Sequence, residues 1–156
     1  MTYKNWLNEC LEHYIKPVSK IRTYERYCGL SIHISKHLGS FEINELSPFI
    51  LHKFITEISG KGNIKTGVPL SPNTVNAIIT VLQNSLKTAF TIGLTDVYIG
   101  DKIKRPTVTE KAIECFLYQN KKAIETAILN GKKSKLIGVI ICLYTGLRIG
   151  ELLAIL

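Results

Sequence analysis

Long apolar runs are missing from this chain. The longest nearly uninterrupted one, Leu136 to Tyr144, has nine residues, against the roughly 20 that a membrane-spanning helix needs. The N-terminus is no richer: Met1, Thr2, Tyr3, Lys4, Asn5 and Trp6 form no apolar signal core, and Glu9, Glu12 and His13 follow at once. These absences predict no membrane span and no export, and so a cytoplasmic protein. Cysteine is sparse as well. Cys10, Cys28, Cys115 and Cys142 are scattered; no two have metal-knuckle or redox-pair spacing, so they read as reduced thiols. Acidic residues are few, 12 against 20 Lys plus Arg, which leaves a net charge of +8 on 156 residues. A surplus that large points to a polyanionic partner, nucleic acid or an acidic membrane surface. What remains is globular in composition, with 46% apolar and 21% charged residues, enough for one ordinary domain or two small ones. No internal repeat or low-complexity tract interrupts it.

Apolar periodicity predicts four helices in the first part. Tyr3, Trp6, Leu7, Cys10, Leu11, Tyr14 and Ile15 recur at steps of three and four up to Lys16, and Pro17 ends that segment. A second helix runs from about Lys20 to Leu38 on a less clean stripe of Tyr24, Tyr27, Leu30, Ile34 and Leu38, with Gly39 as its stop. Ser47-Pro48 and Ser71-Pro72 carry the same start signal, a serine to cap orphan amides and a proline whose missing N–H costs nothing in the first turn. The third helix then shows Ile50, Phe54 and Ile58, and the fourth shows Val75, Ile78, Ile79, Leu82, Leu86, Ala89 and Phe90 before Gly93. Thr95 to Thr109 lacks a helical stripe and reads as a basic linker, with Lys102, Lys104, Arg105 and Pro106. The boundaries that follow are 1–94, a linker 95–110, and a second part 111–156. In that part Lys111 to Tyr118 is a short strand or a lead-in to a helix. Ala123, Ile124, Ala127 and Ile128 predict a helix ending at Gly131, and Lys132, Lys133 and Lys135 sit at the start of the next. Leu136 to Tyr144, apolar on nearly all sides, is expected to be buried, and one more helix follows from Arg148. Residues 1–106 carry a net +5 and residues 107–156 a net +3, so both parts are basic.

The most specific stretch is Thr145-Gly146-Leu147-Arg148-Ile149-Gly150-Glu151-Leu152-Leu153-Ala154. It sets an arginine in the first turn of a helix just after a glycine turn. The amides and dipole there favour an anion, and a guanidinium fork can hold two phosphate oxygens. Glu151, three residues on, is placed to orient that guanidinium or cap an amide. A helix-turn-helix corner with one exposed arginine fits the same residues.

This stretch, preceded by an apolar helix, resembles the first-arginine motif of the tyrosine recombinases, the family of phage and conjugative-transposon integrases. Upstream, Trp6-Leu7, Arg22-Thr23-Tyr24-Glu25-Arg26-Tyr27, His37-Leu38-Gly39, Leu46-Ser47 and Leu70-Ser71-Pro72-Asn73-Thr74-Val75-Asn76 are similar, in that order, to the core-binding domain of such integrases. The resemblance implies a mainly α chain: a four-helix, SAM-like core-binding domain, then the helical opening segment of a mixed α/β catalytic domain. It implies a clamp on double-stranded DNA, attack of a tyrosine on the scissile phosphate, arginines stabilising the phosphoryl oxygens, no cofactor, and self-association on DNA. Arg148 matches the first of those arginines and Glu151 a position beside it. The family's lysine hairpin, His-x-x-Arg box and nucleophilic tyrosine lie downstream of this motif. The sequence stops at Leu156 and has no histidine after His52. Tyr118 and Tyr144 lie upstream and do not match the nucleophile; Tyr144 is expected in the core. The chain is thus expected to bind DNA in site-specific recombination and integration without cutting it. The alternatives are a non-catalytic DNA-binding remnant or regulator that occupies recombination sites, and a helical interaction module with no DNA role.

The resemblance favours the second and fourth helices as those lying across the grooves. The candidate contacts are Arg22, Thr23 and Arg26 on the second, and Asn73, Thr74, Asn76 and Lys87 on the fourth, where Ser71 is better read as a cap. Lys102, Lys104 and Arg105 could follow the DNA backbone. Lys61 and Lys65, in the Gly60–Pro69 loop, are either backbone contacts or a solvated surface; the loop lacks the Gly-Lys-Ser/Thr of a nucleotide P-loop. His33 and His37 stand at i, i+4, a spacing that can hold a metal, but with no acidic or cysteine partner at ligand spacing they read as surface or groove residues. Cys10 and Cys28 read as core.

Overall fold

The computed structural model describes residues 1–64, 66–109, 112, 115, 117–130 and 137–155, and of Leu129 the backbone only. Lys65, Lys132, Lys133 and Lys135, the expected stop at Gly131, and most of the stretch expected as a strand or helix lead-in from Lys111 lie outside these residues. The chain is mainly helical. Among the described residues there is no strand, only an isolated antiparallel bridge between Thr2 and Glu42. It forms two compact units, Met1–Thr109 and Glu110–Leu156.

The first unit is built on four helices: α1 (Tyr3–Glu9), α2 (Ile21–Leu38), α3 (Pro48–Lys61) and α4 (Pro72–Thr91). Helix α1 does not run straight to Lys16. From Cys10 to Ile15 it widens into π-helical turns and then tightens into a 3₁₀ turn, Lys16–Val18. Pro17 sits in that turn; it cannot donate into a helical ladder, and its ring crowds the preceding turn. Both Ser-Pro starts do what their chemistry predicts. Ser47 Oγ accepts the Ile50 N–H at 3.4 Å and Ser71 Oγ the Thr74 N–H at 3.2 Å, with Pro48 and Pro72 as first helical residues.

The apolar stripes meet in one core. Val75, Ile78, Ile79, Leu82, Leu86 and Ala89 of α4 are buried against Tyr3, Trp6 and Leu7 of α1, Ile34 and Leu38 of α2, and Leu51, Phe54 and Ile58 of α3. Each large side chain so buried contributes about 1.5–3 kcal/mol before the entropy of ordering it is counted. The start of α1 is also tied down by its backbone: the Tyr3 N–H donates to Phe41 O at 2.8 Å and the Lys4 N–H to Gly39 O at 3.3 Å. The polar atoms of Tyr3 and Trp6 are paired within the core. The Tyr3 hydroxyl bonds Ser85 Oγ, and Trp6 Nε1–H donates to Ser85 O at 3.1 Å. Burial pushes the Tyr3 phenol far above the usual tyrosine value. Cys10 is buried and Cys28 half-buried, in keeping with core positions.

Residues 95–109 differ from the expected linker. They belong to the first unit. A 3₁₀ turn, Gly100–Lys102, leads to Ile103, which is buried in the same core, with Tyr98 and Ile99 packed on its edge. One buried isoleucine with flanking apolar neighbours is too short a pattern to register as periodicity, yet enough to seat an extended strap.

The second unit contains α5 (Tyr118–Asn130), α6 (Ile137–Thr145) and α7 (Ile149–Ile155). Helix α6 is not buried as its composition predicts. Ile137, Val139, Ile141 and Tyr144 are all exposed, and Tyr144 is 63% exposed rather than in the core. Three short helices cannot cover an element that is apolar all round; among the described residues of this unit, the large apolar side chains buried are Ile128 and Leu152. No helix among the described residues is long and apolar enough to cross a membrane.

Candidate nucleic-acid interface

The start of α2 gathers the first group of candidates. Lys20 is its N-cap. Arg22, Thr23 and Arg26 are exposed, and the i, i+4 spacing puts the two arginines on one face. Among the described residues no carboxylate pairs with either. Lys16, close by in sequence, is not comparable: its ammonium is bonded to Glu12 at 2.5 Å and lies 5.4 Å from the Tyr24 ring centroid. The Lys16 ammonium, with the Tyr24 hydroxyl behind it, holds the Glu12 carboxyl below the usual carboxylate range. Periodicity carries no trace of this neutralised trio.

Lys87 on α4 is exposed and lines a shallow groove with Tyr14, Asn84 and Thr91. Lys61 ends α3 and is exposed, as are Lys102 and Lys104. None of these four has a carboxylate partner among the described residues. Asn73 is exposed, but the Thr74 hydroxyl is engaged, 2.9 Å from Ser71 Oγ, so Ser71 caps the helix and Thr74 completes the cap.

Asn76 and Arg105 are brought together: Asn76 is half-buried, and Arg105, though exposed, lays its guanidinium onto α4. Asn76 Nδ2–H donates to Pro106 O at 3.1 Å. The Arg105 guanidinium lies along α4, donating to Thr80 Oγ1 at 3.2 and 3.3 Å, to Gln83 Oε1 at 2.6 Å and to Asn76 O at 3.4 Å. Gln83 Nε2–H in turn donates to Gly100 O at 2.9 Å. Sequence reasoning missed Thr80 and Gln83. Their signal is the i, i+3 and i, i+4 run of polar side chains Asn76, Thr80 and Gln83 on a helix whose opposite face is core.

His33 and His37 have different surroundings. Among the described residues no group of His, Cys, Asp and Glu side chains could hold a metal ion. His37 Nδ1 instead meets Glu57 Oε2 of α3 at 3.1 Å, over the Phe54 ring. His33 faces Gly29, Ile32, Ile64 and Leu70, and burial moves its pKa below the ordinary histidine value.

In the second unit, Gly146 turns the chain with φ +71°, a conformation that glycine adopts without steric cost. The Thr145 hydroxyl accepts the Leu147 N–H at 3.3 Å. Arg148 then stands at the cap of α7, and Glu151 Oε2 accepts the Arg148 backbone N–H at 2.8 Å, half of a capping box. The guanidinium is 89% exposed, with Nη1 3.7 Å from Glu151 Oε1. Glu151 therefore fixes the turn by its amide bond and touches the guanidinium only loosely. Tyr144 lies under the Lys121 ammonium, 3.6 Å from the ring centroid, and a hydrogen bond to Glu125 raises its phenol above the usual value. Tyr118 is exposed.

No family model, no curated protein and no solved structure matches this chain.

Proposed function

We propose that this protein binds double-stranded DNA through residues 1–109 and works in the cytoplasm in site-specific recombination and DNA integration, as the core-binding domain and opening catalytic segment of a tyrosine recombinase. The observation that carries the reading is a set of exposed cations, Arg22, Arg26, Lys61, Lys87, Lys102 and Lys104, without carboxylate partners among the described residues, on a chain of net charge +8. Such cations suit phosphates, whose neutralisation releases counterions. The ordered sequence resemblance narrows the partner's use to recombination. In this reading the first unit has the SAM-like arrangement of that domain, and Arg148 is the arginine for the scissile phosphate, held outward by the Gly146 turn and the Glu151 cap. Tyr144 is no nucleophile: its position does not match, and Glu125 stabilises its protonated phenol.

The test replaces Arg22, Arg26 and Lys87 together by alanine and follows duplex binding by fluorescence anisotropy over a range of salt. Each neutralised phosphate contributes about 0.9 to the slope of log K against log salt, so the triple variant is expected to flatten the slope by about 2.7. Arg148→Ala should leave affinity nearly unchanged, and no adduct should survive denaturant on a nicked duplex. An unaltered slope in the triple variant, or an adduct lost on Tyr144→Phe, contradicts the reading.

A further inference from the structure

We propose that Arg105 is a positioning residue: with Asn76, Thr80 and Gln83 it locks the 100–106 strap onto α4, so that Lys102 and Lys104 are held as a preformed pair of phosphate ligands. The inference rests on the DNA-binding reading and goes beyond it, because it separates the basic side chains of this segment into two kinds with different work.

The geometry divides them. Arg105 is the cation of the strap whose guanidinium is spent on the protein. Its two terminal nitrogens reach three acceptors on successive turns of α4, Asn76 O, Thr80 Oγ1 and Gln83 Oε1. All three are neutral, so the charge itself is not cancelled; the planar fork is used for its shape and its several donors. The bonds run in both directions across the seam. Asn76 Nδ2–H reaches out to Pro106 O and Gln83 Nε2–H to Gly100 O, at the two ends of the strap. From the other side His52 Nε2–H donates to Lys102 O at 3.0 Å. The Lys102 and Lys104 ammonium groups make no such bonds among the described residues; both side chains are exposed, on either side of Ile103, which is buried in the core. A strap pinned at Gly100, Lys102, Ile103, Arg105 and Pro106 has already given up the backbone freedom that a free linker would give up on binding, and preorganisation of this kind raises affinity.

The experiment measures duplex binding against salt for four full-length variants: Gln83→Ala, Arg105→Ala, Arg105→Lys, and the double change of Lys102 and Lys104 to alanine. Amide exchange at Lys102 and Ile103, whose N–H groups donate to Ile99 O and Gly100 O, is followed without DNA. Gln83→Ala carries no charge change. It should speed exchange at both amides and weaken binding about tenfold, the equivalent of reordering one backbone residue, with the salt slope intact. Arg105→Lys should behave like Gln83→Ala, because an ammonium keeps the charge but not the fork. The lysine double variant should lower the slope by about 0.9 for each phosphate it no longer neutralises and leave exchange unchanged. If instead Gln83→Ala is silent in both readouts and Arg105→Ala lowers the slope while Arg105→Lys keeps wild-type affinity, Arg105 is itself a phosphate ligand and the proposal falls. If the wild-type chain binds no duplex but exchange still rises in Gln83→Ala, the DNA-binding reading fails while the seam stands as a structural lock only.

Discussion

Ser85→Ala is expected to cost the first unit more than Tyr3→Phe, although the two changes cut the same hydrogen bond. Tyr3 is wholly buried and Ser85 is 2% exposed. Removing the serine hydroxyl strands the Tyr3 O–H in the core, and an orphaned buried donor costs about 1–3 kcal/mol. The gain in helix propensity from Ser to Ala returns roughly half a kcal/mol, leaving a net loss of about 1–2 kcal/mol. Removing the tyrosine hydroxyl is milder, because Ser85 Oγ still donates to Leu82 O at 2.9 Å. The double variant removes both partners at once and should recover most of the Ser85→Ala deficit, a coupling that a double-mutant cycle reads directly. Urea titration followed by far-UV circular dichroism supplies the free energies, and thermal melts should show Ser85→Ala lower by roughly 5–10 °C. If Tyr3→Phe proves the more costly change, or the two losses simply add, the hydroxyl pair is not a closed unit in the core and the reasoning fails.

Alkaline stability follows from the same residue. The folded Tyr3 phenol ionises far above its ordinary value because of burial, so the unfolded chain releases its proton first. Stability from this group is complete below about pH 10 and is lost progressively as pH rises beyond it. Tyr3→Phe should flatten the fall above pH 10 in a pH series of urea midpoints, and an unchanged fall would contradict it. For the second unit, amide exchange should be faster throughout α5 to α7 than in α2 to α4, and sedimentation should show concentration-dependent association. The exposed Ile137, Ile141, Ile149, Leu153 and Ile155 form an apolar surface of the sort that drives association between copies. Equal protection in both units of a monomer would refute this.

Much of the first unit is legible in the sequence because its signals are local and redundant. A serine cap, a proline at the first helical position and an apolar stripe at steps of three and four all agree for α3 and α4, and the structure has both starts where those residues put them. Gly39 and Gly93 likewise stand just past helix ends. The illegible parts depend on long-range geometry. That Arg105 folds back along α4 and Asn76 meets Pro106 is a matter of pairings across about 30 positions, which no window of a dozen residues contains. The widening of α1 at Cys10 leaves its apolar stripe intact and so leaves no mark in the pattern. Helix α6 misleads in the opposite way: its composition predicts burial, but burial is supplied by neighbours. In the Arg148 stretch, the glycine turn and the Glu151 cap are readable from spacing; the outward aim of the guanidinium is not, because it depends on what packs around α7.

The most direct test of DNA binding is the salt dependence of the unmodified protein on a mixed-sequence duplex. The six candidate contacts Arg22, Arg26, Lys61, Lys87, Lys102 and Lys104, all exposed, each neutralising one phosphate, predict a slope of log K against log salt of about −5. A slope near that value, with Arg148→Ala leaving it in place, is the expected result. A slope close to zero, or no measurable association with duplex at low salt, would contradict the account.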